Sequence, residues 1–261
     1  QVSGEGENGI AVQSAGVAID NTNFPDANFR TFVKNFDTNK DDSLSDTEIA
    51  AVEEIDCYNK GISNLKGIEY FTALRSLNCG YNQLTALDVS KNTALTYLRC
   101  NRNQLTSLDV SKNTALTWLY CSTNQLTSLD VSKNTALTDL DCDKNQLTSL
   151  DVSNTDMDEL DCDDNIYQIV VGNDRTFDLS TLPGNFNVAK TSDWSGGTVS
   201  GNTLTVDSDQ DSVTYKYDCG KNRRRTFTLK CVESADYTKV DAAIAKANAL
   251  NKDEYKDFSA V

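Results

Sequence analysis

The sequence predicts an α/β repeat solenoid, closed at its amino-terminal end by a helical cap and at its carboxyl-terminal end by an all-β domain. Three observations carry that expectation. The string LTALDVSKNTA at 84–94 returns almost letter for letter as LTSLDVSKNTA at 105–115 and 126–136. Ahead of this repeat a helix–loop–helix pattern occupies residues 24–56. After Asn165 the repeat gives way to short alternating runs separated by Gly, Asn, Asp and Ser turns.

Residues 1–23 are expected to form a flexible segment. They lack the basic start and apolar run of an export signal, and the chain has no initiator methionine, its only Met being Met157. Either a signal has been removed or the chain is a fragment of a longer protein. NFPDANFRTFVKNF then has the apolar spacing of an amphipathic helix, DTNKDDSLSDTE reads as a loop, and IAAVEEI reads as a second helix. The loop resembles the twelve-residue EF-hand: Asp37, Asn39 and Asp41 stand at positions one, three and five, Ser43 at seven, Ser45 at nine and Glu48 at twelve. Asp42 departs from it at position six, where the motif wants a glycine with positive φ. The resemblance implies a structural Ca2+ of weak to moderate affinity, since no paired second hand is detectable. The same residues also describe a capping box, Ser45 capping the second helix and Glu48 reaching back to it.

Residues 57–165 hold the repeats, each reading L-x-x-L-x-C-x-x-N before the next leucine, as in LTYLRCNRNQ, LTWLYCSTNQ and LTDLDCDKNQ. This pattern resembles the leucine-rich-repeat family and implies its arc. Leu95, Leu98, Cys100, Leu105, Leu108 and Val110 recur in register, so one unit buries nothing alone and stacked units share a core. Asn82, Asn103, Asn124, Asn145 and Asn165 are expected to turn inward and bond the backbone of neighbouring turns. Cys57, Cys79, Cys100, Cys121, Cys142 and Cys162 follow one another at 22, 21, 21, 21 and 20 residues. Stacked in a parallel ladder they point the same way at about 4.8 Å, the wrong geometry for disulfides, so they read as buried free thiols. Cys219 and Cys231 fall at different heights of a hairpin and are not expected to bridge. The helical cap before the arc resembles the arrangement of bacterial surface proteins of the internalin group.

IYQIVV, FNVAK, TLTVDS, SVTYKYD and TFTLKCVE place a small β-sandwich-like domain over residues 166–234, loosely similar to the immunoglobulin-like module that follows internalin repeats. Lys221, Arg223, Arg224 and Arg225 form a basic hairpin tip, expected to be solvated, and Trp194 is expected to pack. Residues 235–261 resemble the opening of a FIVAR module, a helical repeat of Gram-positive cell-wall proteins. The chain thereby reads as part of a multi-module protein, secreted or attached to the cell wall.

The chain has no histidine, which excludes Ser-His-Asp and Cys-His catalysis and imidazole-bound zinc. A net charge of −15 over 261 residues disfavours nucleic acid and anionic lipid, and no apolar run is long enough to cross a membrane. No enzyme is expected. Period-two alternation sends the residues flanking each buried leucine outward, giving rows Glu54, Asp56, Tyr58; Ser76, Asn78, Gly80; Tyr97, Arg99, Asn101; Trp118, Tyr120, Ser122; Asp139, Asp141, Asp143; and Glu159, Asp161, Asp163. Tyr97, Arg99, Trp118 and Tyr120 beside the carboxylates of Asp139, Asp141, Asp143, Glu159, Asp161 and Asp163 form the candidate binding site. The function read from it is monomeric, non-catalytic adhesion to an extracellular protein, host proteins included, with a glycan-binding accessory module as the alternative. The acidic rows also admit a bound cation or plain solvation. The opposite face, where Asp88, Asp109, Asp130 and Asp151 run beside Lys91, Lys112 and Lys133, reads as a solvated surface.

Overall fold

The computed structural model describes residues 16–233 and Lys246; apart from Lys246, the segment read as the start of a FIVAR module lies outside the described residues. Fifteen strands are present among the described residues: β1 Val17–Ala18, β2 Ser43–Leu44, β3 Glu54–Asp56, β4 Ser76–Asn78, β5 Tyr97–Arg99, β6 Trp118–Tyr120, β7 Asp139–Asp141, β8 Glu159–Asp161, β9 Asn165–Val171, β10 Thr176–Asp178, β11 Thr191–Ser195, β12 Gly197–Ser200, β13 Thr203–Val206, β14 Ser212–Asp218 and β15 Arg224–Glu233. Two short helices, α1 Ala27–Val33 and α2 Asp46–Ala50, flank the acidic loop.

Strands β3 to β8 form one six-stranded parallel sheet in sequence order. Its register aligns Leu77, Leu98, Leu119, Leu140 and Leu160 in one inward column, all buried. Burying a leucine side chain contributes about 1.5–3 kcal/mol, and each repeat adds several, which is why the stack and not the single unit is stable. The asparagine ladder is built as the spacing requires. Asn124 donates from Nδ2 to the carbonyls of Cys100 at 3.1 Å and Cys121 at 3.0 Å, and its Oδ1 accepts the amide of Leu105 at 3.0 Å. Asn82, Asn103, Asn145 and Asn165 repeat this arrangement.

The expected α/β character of the solenoid is corrected. Among the described residues the repeats return by turns, with a single 3-10 turn at Ile68–Tyr70 and no α-helix. The cause is a second ladder that spacing alone did not disclose. Asn92, Asn113 and Asn134 are fully buried. Asn113 Nδ2 donates to the carbonyls of Val89 at 3.0 Å and Asn92 at 2.8 Å, stitching each return turn to the previous one. Turn bonds from Asn92 N to Val89 O and from Leu95 N to Asn92 O then consume the groups a helix would use.

Each repeat leaves its strand through a residue in the left-handed region: Asn59, Tyr81, Arg102, Thr123, Lys144 and Asp164, with φ between 50° and 57°. Thr123, β-branched, sits there at φ 53° at a cost of about 1–3 kcal/mol. Asparagine tolerates this conformation, so Thr123→Asn is expected to raise stability by about 0.5–1 kcal/mol, read as a higher urea midpoint at unchanged slope.

Of the segment expected to be flexible, residues 16–23 are described, and within them β1 pairs antiparallel with β2 of the acidic loop. Asp26 caps α1 through the amides of Asn28 and Phe29 and also accepts from Ser63, tying the cap to the first repeat. The second helix stops at Ala50 and not at Ile55, because Glu54–Asp56 is taken into the solenoid sheet.

At the carboxyl-terminal end two sheets, ordered β10-β13-β12 and β11-β14-β15-β9, share a core that is continuous with the repeats. Tyr215 donates its hydroxyl to Thr148 O at 2.6 Å, and Trp194 stacks on Tyr215 at 4.5 Å, a packing role. The basic hairpin is not a solvated turn. Lys221 bonds Thr155 O and Asp156, Arg223 bonds Met157 O, and Arg225 donates to Leu160 O at 2.9 Å on β8, the last strand of the arc. An edge that would otherwise present unpaired backbone is thus covered by cationic donors.

Candidate functional site

The parallel register brings the predicted rows together. Tyr97, Trp118, Asp139 and Glu159 lie side by side in one outward column, and Arg99, Tyr120, Asp141 and Asp161 in the next. The third column is only partly outward: Gly80, Asn101 and Ser122 are buried, against expectation, while Asp143 is half-buried and Asp163 exposed. The reason is that this column turns under the loop leading to the ladder asparagines. Asn101 there accepts from Arg99 Nε at 3.1 Å, and Ser122 donates to Asp141 Oδ2 at 2.7 Å.

Three rings form a corner. Tyr97 meets Trp118 at 5.7 Å with planes at 64° and Tyr120 at 5.8 Å with planes at 58°. Trp118 is 45% exposed. The rings, together with Arg99, Asn101 and Asp141, line a cleft of about 330 Å³ on the outward face of the sheet. A cleft of similar size, about 380 Å³, lies between the repeats and the β domain, but its Asp151 and Lys190 already bond each other at 2.9 Å.

Electrostatics divide the face. Asp139 accepts from Thr138 and Asp143 pairs with Lys144 at 2.8 Å, whereas Glu159, Asp161 and Asp163 have no side-chain hydrogen-bond or ion-pair partner among the described residues. Burial, only in part offset by the Ser122 hydroxyl, raises the pKa of Asp141 above the usual carboxylate value, and the neighbouring Asp143 adds to it. Tyr120 is likewise raised, first by burial and then by Asp139 and the other nearby acids. Toward β3 the charge is mixed: Glu54 and Asp56 are exposed on that strand, while the Arg99 guanidinium lies 5.7 Å from the Tyr58 ring centre and that of Arg102 lies 4.7 Å from Tyr81. This second pair of aromatic–arginine contacts was missed in the sequence, because Tyr81 and Arg102 lie outside the alternating strand rows.

The acidic loop supplies oxygen donors only, as a hard cation requires. Asp42 takes φ 59°, the conformation its position in an EF-hand demands. Asp37, nearly buried, accepts the amides of Lys40, Asp41 and Asp42, and Asp41 accepts from Ser43. Asn39 donates to Asp41, and Ser45 forms the capping box with Glu48. Glu48 receives Thr38 on one oxygen at 2.7 Å and Ser45 on the other, and these bonds hold its pKa down at about 2. Among the described residues no three acidic side chains converge as a metal site, and Glu48 would have to exchange these hydrogen bonds for an ion.

All eight cysteines are buried and unpaired, six of them stacked behind the sheet. No protein-family model matches the chain. Internalin J of Listeria monocytogenes serotype 4b (strain F2365) is 41% identical over 71 residues, which are 27% of this chain and 8% of that protein. A solved structure, the functional domain of internalin J from Listeria monocytogenes, is described as including a cysteine ladder; it matches at 44% identity with a TM-score of 0.54, over 59% of this chain and 34% of that one. The repeat arc is internalin-like. A crystal structure of a further internalin, from Listeria monocytogenes strain 4b F2365, matches at 20% identity and a TM-score of 0.44, over 62% of this chain and 53% of that one. The chain thus spans about a third of the internalin J domain it resembles and a small part of the whole protein. Within the internalin-like arc, among the described residues, no helix is long and apolar enough to cross a membrane.

Proposed function

We propose that the chain is a non-catalytic recognition module of a secreted or surface-displayed protein, binding an extracellular protein through the outward face of its internalin-like sheet. The observation that carries the reading is the ring corner of Tyr97, Trp118 and Tyr120, held rigid on adjacent strands and opening onto Asp141. Rigid aromatic anchors in a cleft are what binding hot spots use. The β domain serves in this reading as an immunoglobulin-like spacer.

Trp118→Ala combined with Asp141→Ala is expected to lower affinity for protein ligands captured by the wild-type chain at least tenfold while leaving the melting temperature within a few degrees, since Trp118 is half exposed. Surface plasmon resonance against those ligands and a glycan array read the outcome. Steep weakening with salt marks a charged protein ligand and flat behaviour marks a neutral glycan. Retention of every ligand by the double variant would remove the reading.

We also propose that Asp37, Asn39, Asp41, Ser43, Ser45 and Glu48 hold a calcium ion that locks the cap on the first repeat. At tenfold excess over Kd the ion is expected to add about 1.4 kcal/mol, a melting shift reversed by chelator and absent in Glu48→Gln. Identical melting curves in millimolar calcium and in chelator would contradict it.

A further inference from the structure

We infer that the face recognises positive charge with a fixed polarity: the ring corner takes one lysine or arginine side chain of an extended basic segment, and the strands beyond it take the next ones. The inference rests on the proposed recognition role and names its ligand class.

The geometry points there in three steps. Rings of Tyr97, Trp118 and Tyr120, each tilted about 60° to its neighbour, present faces as well as edges to a common space, and the face of an aromatic ring attracts a cation. Asp141 lines the same cleft, so a cation seated against the rings meets a carboxylate within that space. A single small cation would be satisfied by that much. The remaining carboxylates argue for a longer ligand, because Glu159 and Asp161 continue in register on β8 and Asp163 follows just beyond it, all three with no side-chain hydrogen-bond or ion-pair partner of their own among the described residues. Like charges in adjacent rows are unfavourable until a ligand neutralises them.

The opposite half fixes the polarity. On the other side of the ring corner the β4 row of Ser76, Asn78 and Gly80 carries no charge, and Arg99, drawn toward Tyr58 and Asn101, and Arg102, seated on Tyr81, stand between the rings and the carboxylates Glu54 and Asp56 of β3. From β5 to β8 is three strand spacings, about 14 Å, the reach of about four extended residues. A segment lying across the strands would place its first cation at Trp118 and later ones over β7 and β8.

The test uses the whole chain and acetylated, amidated tetralysine, with binding read by calorimetry. The triple variant Asp139→Asn, Asp141→Asn, Glu159→Gln is expected to weaken tetralysine at least tenfold. Asp88→Asn, Asp109→Asn, Asp130→Asn removes the same three charges from the far face and is expected to change it less than twofold. Trp118→Phe is expected to keep binding within threefold, and Trp118→Ala to lose at least fivefold. Arg99→Gln with Arg102→Gln is expected to leave tetralysine binding as tight or tighter.

Equal weakening by the two triple variants would overturn the inference, leaving only attraction to net charge. Tetramethylammonium bound as tightly as tetralysine would overturn the extended segment. An uncharged oligosaccharide bound through Trp118 and indifferent to the acidic triple variant would overturn the cation class while the recognition role stands. A captured protein ligand that ignores Trp118→Ala and the acidic triple variant alike would overturn both.

Discussion

Raising the pH from 9 to about 10 is expected to lower the stability of the chain by several kcal/mol, read as a steep fall of the urea midpoint over roughly one pH unit. Five thiols of the stack, together with Cys219 of the β domain, are the cause. Burial pushes Cys57, Cys100 and Cys219 from the ordinary 9.0 up to about 12. Burial raises Cys79 and Cys121 well above 9.0, and a hydrogen bond to Cys162 followed by burial does the same for Cys142. A thiol with a raised value stays protonated in the fold and ionises when exposed. Its stabilising contribution is therefore complete below 9.0 and drains away as the pH climbs from 9.0 toward the folded value. One unit above 9.0 each such group costs about 1.4 kcal/mol, and six together cost about 8 kcal/mol, comparable to the whole stability of an ordinary domain. Tyr215, raised by burial and donating its hydroxyl to Thr148, pulls in the same direction. Urea titrations at pH 7.5, 9, 9.5 and 10 measure the slope of stability against pH. The double variant Cys100→Val, Cys121→Val should reduce that slope by two protons whatever it does to stability at neutral pH. A stability unchanged up to pH 10 would mean the ladder is open to solvent.

Asn124→Ala is expected to cost about 3–4 kcal/mol, while Asn113→Ala costs about 1–2 kcal/mol, although both asparagines are buried in ladders of the same period. Asn124 is 9% exposed and Asn113 fully buried, so burial alone would rank them the other way. The difference lies in what each leaves behind. Cys100 O and Cys121 O keep a second donor from Asn103 and Asn145, so losing Asn124 costs two shared hydrogen bonds there. Its Oδ1, however, is the acceptor for the buried amide of Leu105, which would be left without a partner. Asn113 gives up two bonds to carbonyls that also serve turn amides, and its own Oδ1 has no partner, so alanine removes an unsatisfied acceptor along with the donors. Urea midpoints of the two single variants check the order. Equal losses would mean the Leu105 amide finds water or a new acceptor.

Much of the arc was legible because its positions repeat. Period-two alternation inside a 21-residue register placed Leu98, Leu119 and Leu140 inward and Tyr97, Trp118 and Asp139 outward, and the structure pairs those residues as expected. Asn113 was not legible for the opposite reason. In SKNTA it sits beside Lys112, where a polar residue ordinarily faces solvent, and only its unvarying recurrence hinted at a buried role. The docking of Arg225 on Leu160 O depends on where a hairpin 65 residues along the chain comes to rest, which no local pattern encodes. The side-chain rows were readable, but the cleft was not, because its depth depends on how the rings tilt and on Asn101 and Ser122 folding under them. Ser122 turning toward Asp141 decides the state of that carboxylate, and alternation alone placed Ser122 in the solvent.

Because LTSLDV opens both the unit at Leu105 and the unit at Leu126, loss of residues 105–125 would rejoin Gln104 to an identical sequence at Leu126. Each asparagine and cysteine would find its usual neighbour one step along, so the arc would close without a seam. What would vanish is the row of Trp118 and Tyr120, leaving Tyr97 directly beside Asp139. Recombination between such near-copies changes this protein in whole rows. A lineage could thus exchange its ring corner, or double it, in one genetic event while the scaffold behind the face keeps the same bonding pattern.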